Sequence, residues 1–224
     1  MNLPKRAAIH RALGDEGRLR IVDELALSDR TPQELARLTG SETNLLSHHL
    51  GVLEDAGLIR RRVSSGDRRR RYISLETALV HGLLTERRLT ADSVVFVCTH
   101  NSARSQIAEA LFRSRSSIRV QSAGPNPRRS VHPKAVQTAA EMGFDLGAHR
   151  PKGYREVVGS PDLVVSVCDL AVEGEIPFEA PRMHWSIPDP VETGLIADFR
   201  SSFSEIDRRV DILVNAIDNE RKQQ

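Results

Sequence analysis

The chain contains little cysteine, few aromatic residues and no long apolar run. Among its 224 residues there are two cysteines, Cys98 and Cys168, and aromatic residues make up 4%. Two cysteines are too few for a disulfide framework, so we expect both to be free thiols. The longest apolar runs are about five residues, too short to span a membrane. The start, MNLPKRAAIHRALG, lacks the apolar segment of a secretion signal, and we expect a cytoplasmic protein.

The size and charge of the chain favour two parts with different partners. A hydrophobic content of 39% is enough for one or two domains with their own cores. Residues 1–90 carry 16 Lys and Arg against 12 Asp and Glu, a net charge of +4, whereas residues 91–224 carry 16 against 18, a net charge of −2. The basic part is therefore suited to nucleic acid, and the other part needs a different explanation.

The sequence pattern changes near residue 90 and predicts two domains. Four short helices come first, over residues 4–13, 15–27, 31–39 and 42–56, and LIRRRVSSGDRRRRYISL follows as two strands around a turn. Residues 77–92 are predicted as a helix and a polar linker. Apolar strands (93–97, 118–121, 162–167 and 183–186) then alternate with helices (105–115, 132–143 and 194–218). The fold class is thus a mainly α winged helix-turn-helix over residues 1–76, followed by an α/β domain with a parallel sheet over residues 93–224.

The first domain has a surface that matches a DNA groove. Leu46, Leu50 and Leu53 recur at helical spacing and should face the core. The opposite side of the same helix then presents the polar residues Thr43, Asn44, Ser47 and His48. The following hairpin carries seven arginines, Arg60 to Arg62 and Arg68 to Arg71, which can neutralise phosphates. A solvated charged hairpin is the alternative, but the neighbouring pair of helices favours DNA binding.

Residues 7–75 resemble the ArsR-type winged-helix repressors. The resemblance is carried by RALGDEGRLRIVDELA, TPQELARLTG, NLLSHHLGVLEDAGLI and the arginine-rich hairpin. It implies a homodimer on a palindromic operator in duplex DNA. The candidate DNA-contacting residues, chosen from the helix face and the hairpin, are Thr43, Asn44, Ser47, His48, Arg61, Arg68, Arg69 and Arg70. Arsenic-sensing members carry a cysteine pair in the first helix of the motif, where this chain has RTPQELARL, so we expect no thiolate arsenite site there. His48 and His49 diverge by about 100° on a helix; we predict that both lie on the groove side or helix surface, and we expect no metal site.

The stretch VVFVCTHNSARSQIAEAL places a thiol between a predicted strand and a predicted helix. Five residues separate Cys98 from Arg104, and a loop of that length can wrap its N–H groups around a tetrahedral oxyanion. The candidate oxyanion-binding residues are Thr99, His100, Asn101, Ser102, Ala103, Arg104 and Ser105. The helix amino terminus and Arg104 favour the thiolate form of Cys98, which makes Cys98 a candidate nucleophile. Asp189, in HWSIPDP, follows a strand at the same predicted sheet edge and is a candidate general acid.

Residues 93–217 resemble the low-molecular-weight protein tyrosine phosphatases, and specifically their arsenate reductase branch. The matching pieces are VFVCTHNSARSQIAEALF, VQSAG, HPKAV, VVSVCD and MHWSIPDP. The resemblance implies Cys98 as nucleophile, Arg104 as oxyanion binder and Asp189 as acid. Tyrosine phosphatases of the family place an aromatic residue directly after the Asp-Pro pair, whereas this chain has Val191 there, which argues against phosphotyrosine as substrate.

The reductase interpretation requires a second thiol, and Cys168 at the end of DLVVSVC is the candidate. It matches the first of two resolving cysteines in thioredoxin-coupled members, but the place of the second is taken by Glu175. Cys168 therefore either acts with an external thiol or is a buried strand-end residue while a small thiol attacks directly. We expect no bound cofactor. The expected reductant is an external thiol, glutathione or mycothiol, with a glutaredoxin-like partner.

Three functions are compatible with these residues. The first is a DNA-binding regulator fused to an arsenate reductase that forms a Cys98 adduct. The second is a phosphatase that hydrolyses phosphotyrosine or a small phosphate ester through Cys98 and Asp189. The third is a regulator without catalysis, in which oxyanion binding to the second domain changes the affinity of the first for DNA.

Overall fold

The computed structural model describes residues 3–76 and 89–218. Residues 3–64 and 68–76 belong to one compact unit and residues 89–218 to another. Most of the helix predicted over residues 77–92 lies outside the described residues, and residues 89–92 are not helical, as expected of a linker.

The amino-terminal unit consists of four helices and a hairpin. The helices are α1 (Leu3–Leu13), α2 (Glu16–Leu25), α3 (Pro32–Thr39) and α4 (Thr43–Asp55), and the antiparallel strands are β1 (Ile59–Val63) and β2 (Arg71–Leu75). Helix α3 begins at a capping box: Thr31 accepts from the Glu34 N–H while the Glu34 carboxylate accepts from the Thr31 N–H. Gly40, in the left-handed conformation at φ 67°, ends it and allows the tight turn into α4.

Helix α4 packs its apolar face into the core of this unit. Leu46, Leu50 and Leu53 are buried, as predicted. The prediction that His49 lies on the surface is wrong, because His49 is only 6% exposed and its Nδ1 lies 3.7 Å from Asp15 Oδ1. Its position explains this: residue 49 is three after Leu46, so both side chains share one face of the helix. His48 is exposed, as expected.

The carboxy-terminal unit alternates strands and helices. Its strands are β3 (Ser93–Val97), β4 (Arg119–Ala123), β5 (Leu163–Ser166) and β6 (Arg182–His184). Its α-helices are α5 (Arg104–Arg115), α6 (Pro133–Glu141), α7 (Asp169–Glu173), α8 (Pro190–Thr193) and α9 (Ile196–Asp218), with a 3-10 turn at Tyr154–Glu156. The short helices α7 and α8 were not predicted, because helices of one turn are too short to show a 3.6-residue period.

The four strands form one parallel sheet in the order β4-β3-β5-β6. The chain runs from β3 to β4 on one side and then crosses to β5 on the other side of β3. This reversal is the topological switch point at which ligands bind in open parallel sheets. It lies at the carboxyl end of β3, directly before Cys98.

Large apolar side chains hold the sheet and helices of this unit together. Phe96 on β3 contacts Phe112 on α5 and Trp185 after β6, with ring centroids 5.8 and 5.7 Å apart. Helix α5 packs on β3 and β4, and α9 packs on α5. No helix among the described residues is long and apolar enough to cross a membrane. The predicted fold class, a helix-turn-helix unit followed by an α/β unit with a parallel sheet, is confirmed.

Candidate active site and DNA-binding surface

The sheet brings three predicted site residues to one edge. Cys98 directly follows β3, Cys168 follows the neighbouring strand β5, and Asp189 follows β6. Parallel strands end at the same edge, so the topology alone assembles these groups from distant parts of the sequence. Cys98, Arg104 and Asp189 line one cavity.

The loop from Cys98 to Arg104 is fixed through its carbonyl groups. The carbonyl oxygens of Thr99, His100 and Ser102 accept hydrogen bonds of 3.0, 3.1 and 2.7 Å from the N–H groups of Asn126, Arg128 and His132. His100 Nδ1 also lies 3.0 Å from the Asn126 carbonyl. With these carbonyls bound to a neighbouring segment, the N–H groups of residues 100–103 are left as donors for an anion, while that of Thr99 donates to Cys168 Sγ.

Asn101 sets the shape of the loop. It is the one residue other than glycine with a positive φ, at 45°, within the described part of the chain. Its buried side-chain amide donates to Ser105 Oγ and Ser122 Oγ, both at 2.8 Å, and its Oδ1 accepts from Gln106 and from the Lys152 N–H. These four hydrogen bonds offset the cost of a left-handed backbone, which is about 1–2 kcal/mol.

A directed chain of hydrogen bonds ends at the Cys98 sulfur. Ser105 Oγ lies 3.0 Å from Cys98 Sγ, and the Asn101 amide donates to the same Ser105 oxygen. Because an amide N–H2 group can only donate, the Ser105 oxygen accepts from Asn101, and the serine hydroxyl can still either donate to the sulfur or accept from it. The chain therefore fixes the position of the serine hydroxyl beside the Cys98 sulfur.

Arg104 and Asp189 form a buried ion pair at the cavity wall. The Arg104 side chain donates to Asp189 Oδ2 at 2.6 Å and to the Ile187 carbonyl at 2.7 Å. Asp189 also caps α8 by accepting from the Val191 N–H. Burial lowers the pKa of the Arg104 guanidinium, but the neighbouring ionisable groups Cys168, Asp189 and Cys98 raise it further than burial lowers it. The guanidinium is thus a fixed positive charge at the site.

Cys168 is buried beside the loop and, unlike Cys98, is not among the residues that line the cavity. Its Sγ accepts from Thr99 N–H at 3.3 Å and lies 3.4 Å from Thr99 Oγ1. Burial raises the pKa of the Cys168 thiol above its ordinary value, and this effect outweighs the opposing influence of Arg104. Cys168 is therefore a protonated thiol at neutral pH, held against the oxyanion loop.

Two buried networks behind the loop were not predicted from the sequence. Glu109, 2% exposed, accepts from Ser122 and Arg113 at 2.5 Å and lies 3.4 Å from Lys152 Nζ. Asp169, next to Cys168, lies 3.1 Å from the imidazole Nε2 of His184. Apart from Glu109 and Arg113, which are four residues apart on α5, the partners are at least 13 residues apart, so no local pattern indicated these contacts. The only signal for Glu109 was a charge among the apolar positions of AEALF.

The cavity in front of Cys98 has a volume of about 470 Å³. This is within the range of small-molecule sites, roughly 300–1,000 Å³. Its lining consists of Cys98, His100, Ser102, Ala103, Arg104, Arg128, Arg129, Ser130, Val131, His132, Pro133, Asp189 and Val191. Burial, reinforced by Lys134, lowers the pKa of His132, so this imidazole is neutral at pH 7.

The predicted DNA-contacting side of α4 is exposed. Thr43, Asn44, Ser47 and His48 all face solvent, on the side of the helix opposite the leucines. Ser47 Oγ donates to the Thr43 carbonyl at 2.8 Å, which leaves the hydroxyl oxygen as an acceptor. The helix therefore presents small polar groups over two turns.

The arginines of the hairpin differ in their exposure and in their partners. Arg60 pairs with Glu76 at 2.7 Å and Arg61 with Glu54 at 2.9 Å. Arg68, Arg69 and Arg70 are exposed and lie in the connection between β1 and β2. These three side chains are therefore accessible at the tip of the hairpin, while Arg61 links the hairpin to α4.

Comparison with known proteins gives a family for each unit. Residues 93–223 match the family described as Low molecular weight phosphotyrosine protein phosphatase, and residues 13–62 match a helix-turn-helix domain. A protein named arsenate reductase from Staphylococcus aureus (strain Newman) is 31% identical over 107 residues, which cover 46% of this chain and 81% of that protein. Arsenate reductase 2 of Staphylococcus saprophyticus is 34% identical over 103 residues, 44% of this chain and 78% of that protein.

Solved structures resemble the carboxy-terminal unit. The tyrosine phosphatase Wzb from Escherichia coli, in complex with sulphate, matches with a TM-score of 0.50 at 24% identity and covers 56% of this chain and 97% of its own. This likeness shows the fold. The arsenate reductase from Archaeoglobus fulgidus is 34% identical with a TM-score of 0.49, over 54% of this chain and 98% of its own.

Gly124 lets β4 approach the oxyanion loop, and we predict that Gly124→Ala disrupts it. A Cβ at position 124 would lie 2.2 Å from the Cys98 carbonyl oxygen and 2.8 Å from that of Thr99, so the loop backbone must move. We expect a loss of about 1–3 kcal/mol in the free energy of unfolding, measured with urea, and weaker phosphate binding by calorimetry. Gly153→Ala is the control: Gly153 is the bridge partner of Gly124, with φ −78° and no contact closer than 3.8 Å. Equal behaviour of the two variants would contradict the packing argument.

Proposed function

Because the chain belongs to the low molecular weight phosphotyrosine protein phosphatase family, we propose that its carboxy-terminal domain reduces arsenate to arsenite at Cys98 and that its helix-turn-helix domain binds DNA as a regulator. The observation that carries the reductase proposal is a second thiol at the loop, with Cys168 Sγ 3.3 Å from the Thr99 nitrogen. Reduction needs electrons from thiols, whereas hydrolysis of an ester needs none. The relatives named arsenate reductase support the same choice.

The first step forms a bond between Cys98 and arsenic. The loop N–H groups and Arg104 would hold the oxyanion, and the Cys98 thiolate attacks arsenic. The S–As bond forms and one As–O bond breaks. The departing oxygen takes up protons and leaves as water. Asp189 lines the same cavity and, once it has parted from Arg104 and gained a proton, is the group placed to deliver that proton to the departing oxygen.

The second step reduces arsenic. A thiolate attacks Cys98 Sγ, an S–S bond forms, and the electron pair of the broken S–As bond stays on arsenic, which goes from As(V) to As(III) and leaves as arsenite. The attacking thiol is either Cys168 or an external small thiol. Cys168 is close to the loop, but burial raises its pKa, so it must first lose its proton. Arg104, which lowers that pKa, is the nearby positive charge that assists this loss.

Hydrolysis of phosphate esters is the second candidate function. Phosphate and arsenate have the same shape and charge, and Cys98, Arg104 and Asp189 could form and break a phosphocysteine intermediate. The presence of Asp189 in the cavity favours this function. Val191 argues against phosphotyrosine, because this cavity-lining residue, 41% exposed, offers no ring on which the tyrosine could stack.

The helix-turn-helix domain supports a role at DNA. The exposed polar side of α4 would enter a major groove, and the arginines between β1 and β2 would neutralise phosphates beside it. A homodimer on a palindromic site is the arrangement that fits such a domain. The remaining alternative is a regulator whose second domain binds an oxyanion without turnover. The turnover assays below distinguish it from the two enzyme functions.

We expect Cys98→Ser to abolish both arsenate reduction and phosphate-ester hydrolysis, by about 10⁴-fold or more, while oxyanion binding persists. The loop N–H groups and Arg104 do not depend on the sulfur. Arg104→Ala should lose binding as well, by about 100-fold, because two charge-assisted hydrogen bonds disappear. Calorimetry with arsenate measures binding, and turnover is measured with arsenate and with p-nitrophenyl phosphate. Retained turnover in Cys98→Ser would show that the nucleophile is misassigned.

Reduction should depend on a small thiol rather than on thioredoxin alone. Glu175, exposed where the second resolving cysteine would lie, cannot take part in thiol–disulfide exchange. We expect multiple turnovers with glutathione or mycothiol and a glutaredoxin-like protein, and little turnover with thioredoxin, its reductase and NADPH. Cys168→Ser separates the two routes: it slows reduction if Cys168 attacks the adduct and leaves it unchanged if the external thiol attacks directly. Efficient turnover with thioredoxin alone would contradict the prediction.

Charge reversal at Arg69 and Arg70 should weaken binding to duplex DNA and flatten its dependence on salt, because each phosphate contact releases counterions. We expect the slope of log K against log salt to fall by about 1–2 units in Arg69→Glu/Arg70→Glu, measured by fluorescence anisotropy. Arg128→Glu/Arg129→Glu changes the net charge equally but in the other domain. If both double variants lose affinity equally, the effect is one of net charge and not of the hairpin.

A further inference from the structure

Arg128 and Arg129 stand at the opening of the cavity that contains Cys98. Both side chains are exposed and both residues line the cavity. Their guanidinium groups make no hydrogen bond or ion pair with any residue in the ranges 3–76 and 89–218. Arg104, the third arginine of the cavity, is instead buried and bound to Asp189 and the Ile187 carbonyl. The cavity thus contains one buried arginine that is bound to other protein groups, and two exposed arginines that are available to a ligand.

The backbone that carries these two arginines is fixed relative to Cys98. The N–H groups of Asn126, Arg128 and His132 all donate to carbonyl oxygens of the oxyanion loop. The two guanidinium groups therefore extend from a segment whose position is set by the loop itself. They are part of the site, in contrast to arginines that merely lie on a charged surface.

The cavity is larger than the oxyanion requires. A volume of about 470 Å³ is typical of a site for a small organic molecule, whereas the loop and Arg104 surround a single tetrahedral anion at one end. The only carboxylate of the lining is Asp189, and it is already paired with Arg104. The open end is therefore positively charged and suited to a second ligand with carboxylates.

We propose that Arg128 and Arg129 bind the carboxylates of the thiol that reduces the enzyme, and so select a γ-glutamyl thiol such as glutathione over an uncharged sugar thiol such as mycothiol. The inference rests on the proposed reductase function. Arsenate occupies the loop in the first step, so the reductant is the next molecule that must enter the cavity to reach Cys98.

The bonds and electrons of the reaction at this subsite balance, and the thiol is the only reactant that must be added. The thiolate of the first glutathione attacks Cys98 Sγ, which forms a mixed disulfide and releases arsenite with the electron pair of the S–As bond. A second thiol then attacks the glutathione sulfur and restores the Cys98 thiolate. The two thiols end as one disulfide and supply the two electrons that arsenic gains.

The direct test compares glutathione with its diethyl ester, which has the same thiol but no carboxylate. In the full-length protein, Arg128→Gln/Arg129→Gln should raise the KM for glutathione by about 5- to 30-fold, since two exposed charge contacts are lost. Turnover at saturating thiol and the KM for arsenate should stay within about 2-fold. The ester should already show a high KM with the unsubstituted protein, unchanged in the variant. Arg155→Gln, an exposed arginine outside the cavity lining, is the control.

A second measurement does not depend on arsenate reduction. In a Cys168→Ser background, Cys98 is the only thiol, and it can be modified by dithiobis(nitrobenzoate), which carries carboxylates, or by uncharged dithiodipyridine. We expect the ratio of the two rates to fall about 5- to 30-fold when both arginines become glutamine. If this ratio falls but the protein does not reduce arsenate, the reductase proposal is refuted, while the two arginines are still shown to bind carboxylates at the cavity. An unchanged ratio, or an equal rise in KM for glutathione and its ester, would overturn the subsite.

Discussion

The candidate active site depends on one constraint: the carbonyl groups of the loop after β3 must be held outward so that its N–H groups can surround an anion. A backbone in that shape would not persist alone, because it needs a left-handed residue at Asn101. The segment from Asn126 to His132 binds three loop carbonyls, and the Asn101 side chain makes four buried hydrogen bonds of its own. The rest of the domain then follows from this requirement. Gly124 must lack a side chain, and a buried glutamate, Glu109, must hold Ser122 in place.

The features that could be predicted from sequence are those set by local spacing. The spacing of Cys98 and Arg104, six positions apart between an apolar strand and a helix, predicted the loop. The same pattern predicted the fold around it. Asp189 and Cys168 could be placed at the same edge because parallel strands end together. Contacts over long sequence separations could not be predicted: Lys152 reaching Asn101 and Glu109, or His184 reaching Asp169, depend on how loops close. His49 was misplaced because a polar residue was assumed to face solvent, although its helical position put it beside Leu46.

The two thiols differ in ways that suit successive steps. Cys98 lines the cavity and lies 3.0 Å from a serine hydroxyl that the Asn101 amide orients. Burial raises the pKa of Cys168, so this thiol stays protonated while the oxyanion binds. A thiolate at Cys168 would repel the incoming oxyanion, because both would lie against the same loop. A protonated Cys168 avoids this repulsion and is still near enough to react later.

Discrimination between arsenate and phosphate cannot reside in the loop. Both anions are tetrahedral and carry the same charge, and N–H donors and a guanidinium respond to little else. Phosphate should therefore enter the same site, and what separates the two is the fate of the bond to Cys98. When a thiol attacks the sulfur of the arsenic adduct, the As(V) centre can accept the electron pair of the S–As bond. Phosphorus in a phosphocysteine cannot be reduced by a thiol in this way, so its phosphoryl group is released by water. Under the proposed reductase mechanism, selectivity would therefore be a property of the second step. The groups that supply and guide the attacking thiol would then determine it more than the groups that bind the anion.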